Sequence, residues 1–123
     1  MVARVMIVED DEAFLYVLDK KLQAAGHETL PFSDWNMVLD LLERGEPVDL
    51  LLTDIKLPAG TPTGPQLARM ALSRRPKLKV IYMTAFPDLA AEARQTVPQV
   101  VLKDPEAASV LYAVQAVLRA PKG

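Results

Sequence analysis

Short apolar runs alternate with longer segments of helical period along the chain, and this alternation constrains the fold more than any other feature of the sequence. The runs at residues 5–8 and 50–52 are apolar at successive positions. Such runs are typical of parallel strands that helices cover on both faces, whereas half-exposed strands alternate between apolar and polar residues. Strands that alternate with helices predict an α/β fold. We therefore expect five βα units that form a doubly wound parallel sheet.

The expected elements follow from periodicity and from the residues that start and stop helices. Gly26 follows the first helix as a left-handed stop, and Pro76 follows the third. Thr63 and Gln66 form a predicted capping box. The predicted strands are residues 4–8, 27–32, 48–53, 79–84 and 100–102. The predicted helices run from 14 to 25, from a cap at Ser33 or Asp34 to 42, from 63 to about 75, from 88 to 95, and from a cap at Asp104 with a first turn at Pro105 to about 119.

Composition limits the classes of function. With 123 residues, 50% of them hydrophobic, the chain has the size of one domain, residues 1–123, with a full core. The 14 basic and 16 acidic residues leave a net charge of -2, so we expect no direct binding of nucleic acid and no membrane surface as partner. The absence of cysteine excludes thiol catalysis and thiolate metal sites. It also suits a reducing compartment, and we expect a cytoplasmic location.

Polar residues stand at the ends of the predicted strands, where the ligand sites of doubly wound sheets gather. Glu9 and Asp10 follow the first strand, Asp54 follows the third, Thr84 ends the fourth and Lys103 follows the fifth. Carboxylates that converge at one edge repel one another, so a compensating cation is needed, for which Lys103 and a divalent metal are the candidates. Because the ligands offer oxygen atoms without Cys or His, a hard ion is favoured, Mg²⁺ before Mn²⁺ or Ca²⁺.

These side chains supply the chemistry needed to place a phosphoryl group on an aspartate. A carboxylate attacks, a metal ion and a lysine neutralise charge on the phosphoryl oxygens, and a hydroxyl can donate to one of them afterwards. Asp54 is the predicted nucleophile, supported by Lys103 and Thr84. Asp11 and Glu12 are instead expected to favour the dipole of the first helix.

The sequence resembles a response-regulator receiver domain of two-component signalling over essentially its whole length. The resemblance rests on four segments whose spacing is typical of the family: the acidic pair Glu9-Asp10, Asp54 in LLLTDIKLP, Thr84 in YMTAF and Lys103 in VVLKD. It implies a flavodoxin-like sheet with the strand order 2-1-3-4-5.

By the resemblance, Asp54 accepts phosphate from a histidine kinase or a histidine phosphotransfer protein. Asp10 and Asp54 would bind Mg²⁺ directly, Glu9 would bind it through water, and the backbone carbonyl of Lys56 would complete the protein ligands. Such a domain catalyses its own phosphorylation and dephosphorylation, signals by protein–protein contact and can form homodimers.

Three features depart from the family pattern. Val100 stands where many members carry Tyr or Phe, and Asp104 stands where proline usually follows the lysine. The interval from Thr84 to Lys103 is also shorter than expected, which predicts a shortened fourth helix and an unusual output face. Since no room remains for an output domain after Arg119, we expect a stand-alone regulator, a phosphate relay or a receiver excised from a larger protein.

Other functions fit the same architecture. The main alternative is a receiver-like interaction module with no phosphorylation-dependent output. Val100 and Asp104 are consistent with this alternative, because both depart from the family pattern. A flavin-binding domain would need backbone amides and hydroxyls in the first loop, which is acidic here. An aspartyl-phosphate phosphatase would need a second carboxylate two residues after Asp54, where Lys56 stands. His27 is expected to be a surface strand residue and is a poor phosphodonor.

Overall fold

The computed structural model describes residues 2–97 and 99–119. The strands are β1 (Arg4–Val8), β2 (Glu28–Phe32), β3 (Leu50–Asp54), β4 (Lys79–Thr84) and β5 (Val100–Leu102). The helices are α1 (Glu12–Ala24), α2 (Asn36–Glu43), α3 (Gly64–Arg74), α4 (Pro87–Ala93) and α5 (Ala108–Arg119). All strand pairs are parallel, in the order β2-β1-β3-β4-β5, which confirms the predicted doubly wound α/β fold. In this part of the chain no helix combines the length and apolarity that a membrane crossing requires.

Alternate residues of the central strand β1 serve the two faces of the sheet. Val5 and Ile7 pack with the buried side chains of α1 and α5. Met6 and Val8 instead pack with those of α2 and α3. Successive side chains of a strand point to opposite faces, so a strand covered on both sides must be apolar throughout. The continuous apolar run of β1 therefore builds two cores, and the polar residues that follow it lie at the edge of the sheet.

Most observed boundaries lie close to the predicted ones, and the differences have local causes. β3 includes Asp54, because this residue still pairs with Met83 of β4. α2 begins after Trp35 as N-cap, and the predicted cap Asp34 accepts a hydrogen bond from the Asn36 N–H (2.9 Å). The predicted short fourth helix is confirmed, since α4 has 7 residues and is the shortest of the five helices.

The predicted start of the fifth helix is wrong: α5 begins at Ala108, not at Pro105. Ala107 has a φ of 59°, in the left-handed region, so the segment from Pro105 cannot run into the helix as a continuous turn. Asp104 still caps the helix from outside it. Its Oδ2 accepts from the Ala108 N–H (3.1 Å) and its Oδ1 accepts from the Ser109 N–H (2.8 Å).

His27 also differs from the prediction, because it precedes β2 and is buried rather than exposed. Its Nδ1 accepts a hydrogen bond from the Ala3 N–H (3.1 Å), and the Ala3 carbonyl accepts one from the Glu28 N–H (2.9 Å). The imidazole thus extends the hydrogen bonding between the start of β1 and the start of β2. Sequence pattern alone could not indicate this role, since it depends on the neighbouring strand.

Candidate functional site

The predicted site residues lie at the carboxyl edge of the sheet. The strand register places the ends of β1, β3 and β4 side by side. One carboxylate oxygen from each of Glu9, Asp10 and Asp54 lies within 4.8 Å of the other two. Lys103 follows β5, and its backbone N–H donates to the Thr84 carbonyl at the end of β4 (2.8 Å). The fold therefore gathers the three carboxylates and Lys103, and it places Thr84 at the adjoining strand end.

The Lys103 ammonium group lies between two carboxylates. Its Nζ is 2.6 Å from Glu9 Oε1 and 3.2 Å from Asp54 Oδ2, and the side chain is only 11% exposed. It also lies 5.1 Å from the centre of the Phe14 ring, in a cation–π contact. Burial alone would lower the pKa of Lys103, but the bond to Glu9 and the charge of Asp54 outweigh burial and raise this pKa above its ordinary value. The lysine is therefore held as a cation beside Asp54.

Glu9 is completely buried, and its two oxygens have different environments. Oε1 accepts from Lys103, whereas Oε2 has no hydrogen-bond partner among the described residues. Burial raises the pKa of the Glu9 carboxyl to about 8; the neighbouring Asp54 adds to the rise and Lys103 opposes it. A buried carboxylate oxygen without a partner is unfavourable unless a cation or a donor reaches it. This oxygen fits a site that binds a metal ion or its coordinated water.

The other acids of the first loop divide between the cluster and the following helix. Asp10 is exposed and belongs to the cluster. Asp11 Oδ1 accepts hydrogen bonds from two backbone N–H groups of α1 (3.1 and 3.2 Å), and Glu12 lies in the first turn. The expected helix-start roles of Asp11 and Glu12 match this geometry, since both carboxylates lie at the positive end of the helix dipole.

Asp54 is 8% exposed, and hydrogen bonds hold the backbone on both sides of it. The Thr53 hydroxyl donates to the Asp54 carbonyl (3.1 Å), and the Ile55 N–H donates to a carbonyl of β4 (2.8 Å). Lys56 follows in a bend and is exposed. The proposed ligand role of its carbonyl stays a prediction.

Thr84 is buried, and its hydroxyl is oriented by the loop that leads to α4. Its Oγ1 accepts a hydrogen bond from the Phe86 N–H (3.1 Å). A hydroxyl that accepts one hydrogen bond keeps its own proton for donation. Phe86 itself is 60% exposed. The end of β4 therefore presents a hydroxyl that is bonded to the backbone of the next loop and keeps a proton to donate.

The sequence analysis missed two contacts in the site. The helical period of α1 predicts an inward side chain at Phe14, but it carries no information about a lysine contributed by the loop after β5. By the resemblance Gly64 fits the loop that follows Asp54 in the family, but this pattern does not indicate that Gly64 lies against the backbone of Asp54. Both contacts join segments that are distant in sequence, so no local pattern could indicate them.

Comparison with known proteins gives a consistent result. Residues 5–114 match the response regulator receiver domain family. The DNA-binding transcriptional regulator NtrC of Klebsiella pneumoniae is 41% identical over 85 residues, which are 69% of this chain and only 18% of that protein. The response regulator receiver protein CpdR of Brucella abortus is 33% identical over 96 residues, 78% of each chain.

A solved structure shares the fold. The response regulator TrrA of Thermotoga maritima, in complex with Mg²⁺ and BeF, superposes with a TM-score of 0.78 at 21% identity and covers 94% of this chain and 98% of its own. The family match extends from β1 into α5 and includes every residue of the acidic cluster. This chain therefore belongs to the response-regulator receiver domains of two-component signalling.

Proposed function

We propose that this chain accepts a phosphoryl group on Asp54 from a histidine kinase or a histidine phosphotransfer protein, in a Mg²⁺-dependent cytoplasmic reaction, and signals by protein–protein contact. The observation that carries the proposal is the position of Lys103 Nζ, 3.2 Å from Asp54 Oδ2 and 2.6 Å from Glu9 Oε1. A cation held beside an acceptor carboxylate balances the negative charge that a phosphoryl group brings.

Asp54 supplies the nucleophile in this proposal. One carboxylate oxygen forms a bond to phosphorus while the bond from phosphorus to the donor imidazole nitrogen breaks, and the electron pair of that bond stays on the nitrogen. The products are an acyl phosphate on Asp54 and an unphosphorylated histidine. Attack of water on the phosphorus later releases inorganic phosphate and restores the carboxylate.

Two further side chains interact with the phosphoryl oxygens. The Lys103 ammonium group already lies beside Asp54, so it can pair with a phosphoryl oxygen without a large movement. The Thr84 hydroxyl accepts from the Phe86 N–H and can donate its proton to a second phosphoryl oxygen. Charge-assisted hydrogen bonds of this kind are roughly twice as strong as neutral ones.

The donor set of the acidic cluster fits a magnesium ion. Its members offer only oxygen atoms, which hard cations prefer, and the buried Glu9 Oε2 has no partner among the described residues. In the proposal Asp10 and Asp54 bind the ion directly, Glu9 binds it through water, and Lys56 contributes its carbonyl. When bound, Mg²⁺ supplies positive charge that reduces the repulsion between Asp54 and the phosphoryl oxygens. The TrrA neighbour was solved in complex with Mg²⁺ and BeF, which supports magnesium as the ion.

A receiver-like interaction module with no phosphorylation-dependent output is the second candidate. Val100 favours it, because this residue pairs with Tyr82 at the start of β5, where many family members carry an aromatic switch residue. A β-branched side chain has few rotamers and cannot make a large inward movement. In this alternative the contacts of the chain with its partners are the same before and after phosphorylation.

Phosphorylation by a small donor tests the proposal directly. After incubation with acetyl phosphate and Mg²⁺, intact-mass spectrometry should show one added phosphoryl group on the wild-type chain and none on Asp54→Asn. Chelation of the metal with EDTA should prevent the addition. Labelling of the Asn variant, or labelling that EDTA leaves unchanged, would contradict the assignment.

A further inference from the structure

Gly64, the first residue of α3, lies in direct contact with the backbone of Asp54. Its N–H donates to the Ile55 carbonyl (2.8 Å). A Cβ atom at this position would lie 2.1 Å from the Asp54 carbonyl oxygen and 3.0 Å from both the Asp54 carbonyl carbon and Ile55 Cα. These separations are well below van der Waals contact, so α3 can approach the end of β3 this closely only without a side chain at residue 64.

Backbone conformation does not explain the glycine. The described glycines with positive φ are Gly26, Gly45 and Gly60, and a Cβ at each of these would meet nothing within 4 Å. Gly64 differs from these three in both respects. It has no positive φ, since it belongs to the helix, and a Cβ atom at this position would collide with the backbone of Asp54. Alanine is the better helix former, so the helix alone would favour alanine at this position. The close approach to Asp54 is therefore the physical reason for glycine.

Neither of the two segments in contact can yield easily. On the strand side, Asp54 pairs with Met83, and the Thr53 hydroxyl donates to the Asp54 carbonyl. On the helix side, the capping box of Thr63 and Gln66 fixes the first turn of α3, and the buried side chains of that helix anchor it against the sheet. A side chain at residue 64 would push rigid backbone against rigid backbone.

We propose that Gly64 is a positioning residue for the phosphoacceptor. By seating the start of α3 against the Asp54 carbonyl, it holds Asp54 at the distance from Lys103 that phosphoryl transfer requires. It also closes the loop of residues 55–63, which contains the Lys56 carbonyl. The inference rests on the proposed function of Asp54 and adds a residue that contacts neither the phosphoryl group nor the metal ion.

The test compares the wild-type chain, Gly64→Ala and a matched control, Gln66→Ala. The control removes the capping box and weakens the same helix turn, but it adds no atom near Asp54. Beryllofluoride affinity in the presence of Mg²⁺ and the rate of phosphorylation by acetyl phosphate are measured for each chain. Gly64→Ala should lose at least about tenfold in both, because small displacements of a reacting group are costly. Gln66→Ala should lose stability but stay within about twofold of the wild-type affinity at the same folded fraction.

The outcomes separate the two proposals. Unchanged beryllofluoride affinity in Gly64→Ala, or an equal loss in Gln66→Ala, would overturn the positioning role while leaving the function of Asp54 intact. Failure of the wild-type chain to bind beryllofluoride at all would overturn the proposed function and this inference with it.

Amide hydrogen exchange on the wild-type chain gives a second test that does not depend on the folding of a variant. The Gly64 N–H should exchange slowly in both the free and the beryllofluoride-bound chain, because its bond to Ile55 persists while the acceptor is loaded. Rapid exchange of this amide in either state would show that the contact does not hold Asp54 in place.

Discussion

Glu9 occupies a position that costs folding free energy. Its carboxyl is completely buried, and one oxygen has no hydrogen-bond partner among the described residues. The bond from Lys103 is weak evidence for a stabilising role, since removing a charged group from water can cost more than its contacts in the interior return. A residue that lowers stability and lies beside Asp54, the proposed phosphoacceptor, is better explained by the proposed metal and phosphoryl chemistry than by the core.

The raised pKa of Glu9 predicts a pH dependence of stability. In the unfolded chain this carboxyl titrates near 4.5, and in the folded chain its pKa is about 8. Between these values the folded chain keeps a proton that the unfolded chain releases, so the free energy of unfolding falls as pH rises. Glu9→Gln removes this contribution. Without divalent cations, the wild-type chain should therefore lose on the order of 3 kcal/mol relative to Glu9→Gln across this window.

Urea unfolding in EDTA, repeated at intervals from about pH 5 to about pH 8, measures this difference. The exposed Glu12→Gln variant is the control for removal of a nearby carboxylate, and its profile should run parallel to that of the wild-type chain. Parallel profiles for Glu9→Gln and the wild-type chain would show that the Glu9 carboxyl is ionised in the folded state throughout the window.

At the scale of single elements, the sequence pattern predicted features whose hydrogen bonds lie within one turn, and it missed features that depend on contacts between distant segments. The capping box of Thr63 and Gln66 is present, because its hydrogen bonds lie within one turn. The start of α5 was predicted wrongly, because Asp104 and Pro105 also fit an ordinary helix start. The left-handed Ala107 that delays the helix is fully buried, and alanine has no local preference for this conformation that a sequence pattern could reveal.

The edge strand β2 contains a proline at a position that takes no part in the hydrogen bonding to β1. The Glu28 N–H donates to the Ala3 carbonyl, and the Phe32 carbonyl accepts from the Glu9 N–H. The backbone groups of every second residue of β2, counted from Glu28 to Phe32, therefore point towards β1. Pro31 lies between two such positions, with its nitrogen toward the free edge. The missing N–H therefore leaves the sheet intact and removes one donor from the edge, which disfavours pairing with another chain.

The cap of α5 gives a prediction at the same scale. The hydrogen bond from the Ser109 N–H lowers the pKa of Asp104, and the bond from Ala108 adds to this effect. Asp104→Ala should lower the free energy of unfolding by about 1 kcal/mol near neutral pH. A lowered pKa means that this contribution is present above the unfolded-state value, 3.8, and is lost as pH falls through the folded-state value.

Thermal unfolding near neutral pH and at low pH measures the effect of this cap. Glu106→Ala, in the same turn, is the control and should have little effect, since Glu106 is exposed. A difference between Asp104→Ala and the wild-type chain that stays constant into strong acid would mean that the charged carboxylate is not the capping group.

At the scale of the whole molecule, the order of elements was predictable because each strand and helix carries its own period. The gathering of site residues was also predictable, since parallel strands end at one edge and polar residues follow those ends. The strand order came from the resemblance to a family. Lys103 was expected to compensate the charge of the carboxylates, but its direct bond to Glu9 and the contact of Gly64 with Asp54 depend on how the elements pack, which the sequence pattern does not specify.

Magnesium binding should stabilise the whole fold. An ion that binds only the folded chain raises the free energy of unfolding as its concentration exceeds the dissociation constant, by about 2.7 kcal/mol at a hundredfold excess over that constant. Thermal melts with and without Mg²⁺ measure this increment. Asp10→Ala should abolish it and should also raise the stability of the metal-free chain, because one of three close carboxylates is removed. A full Mg²⁺ response in Asp10→Ala would place the ion elsewhere.

The response of the molecule to phosphorylation should centre on α4 rather than on β5. We expect a Thr84 hydroxyl that moves towards a phosphoryl oxygen to pull on the Phe86 N–H that donates to it, and Phe86 is the N-cap residue of α4. α4 has no side-chain cap at this end, and it packs on the core through the fully buried Ala90 and the partly buried Leu89 and Ala93, so its anchoring is small. Val100 lies in β5 and has few rotamers, so it cannot relay a movement of its own.

Amide NMR of the beryllofluoride-bound chain against the free chain measures this response. We expect the largest shifts outside the acidic cluster in residues 85–99, with Val100 nearly unchanged, because a ligand shifts a population only where the two states make different contacts. The Asp54→Asn variant is the control and should show neither set of shifts. Shifts confined to the loops around Asp10 and Asp54, with α4 silent, would instead favour the interaction module without a phosphorylation-dependent surface, since no element beyond the site would then sense the phosphoryl group.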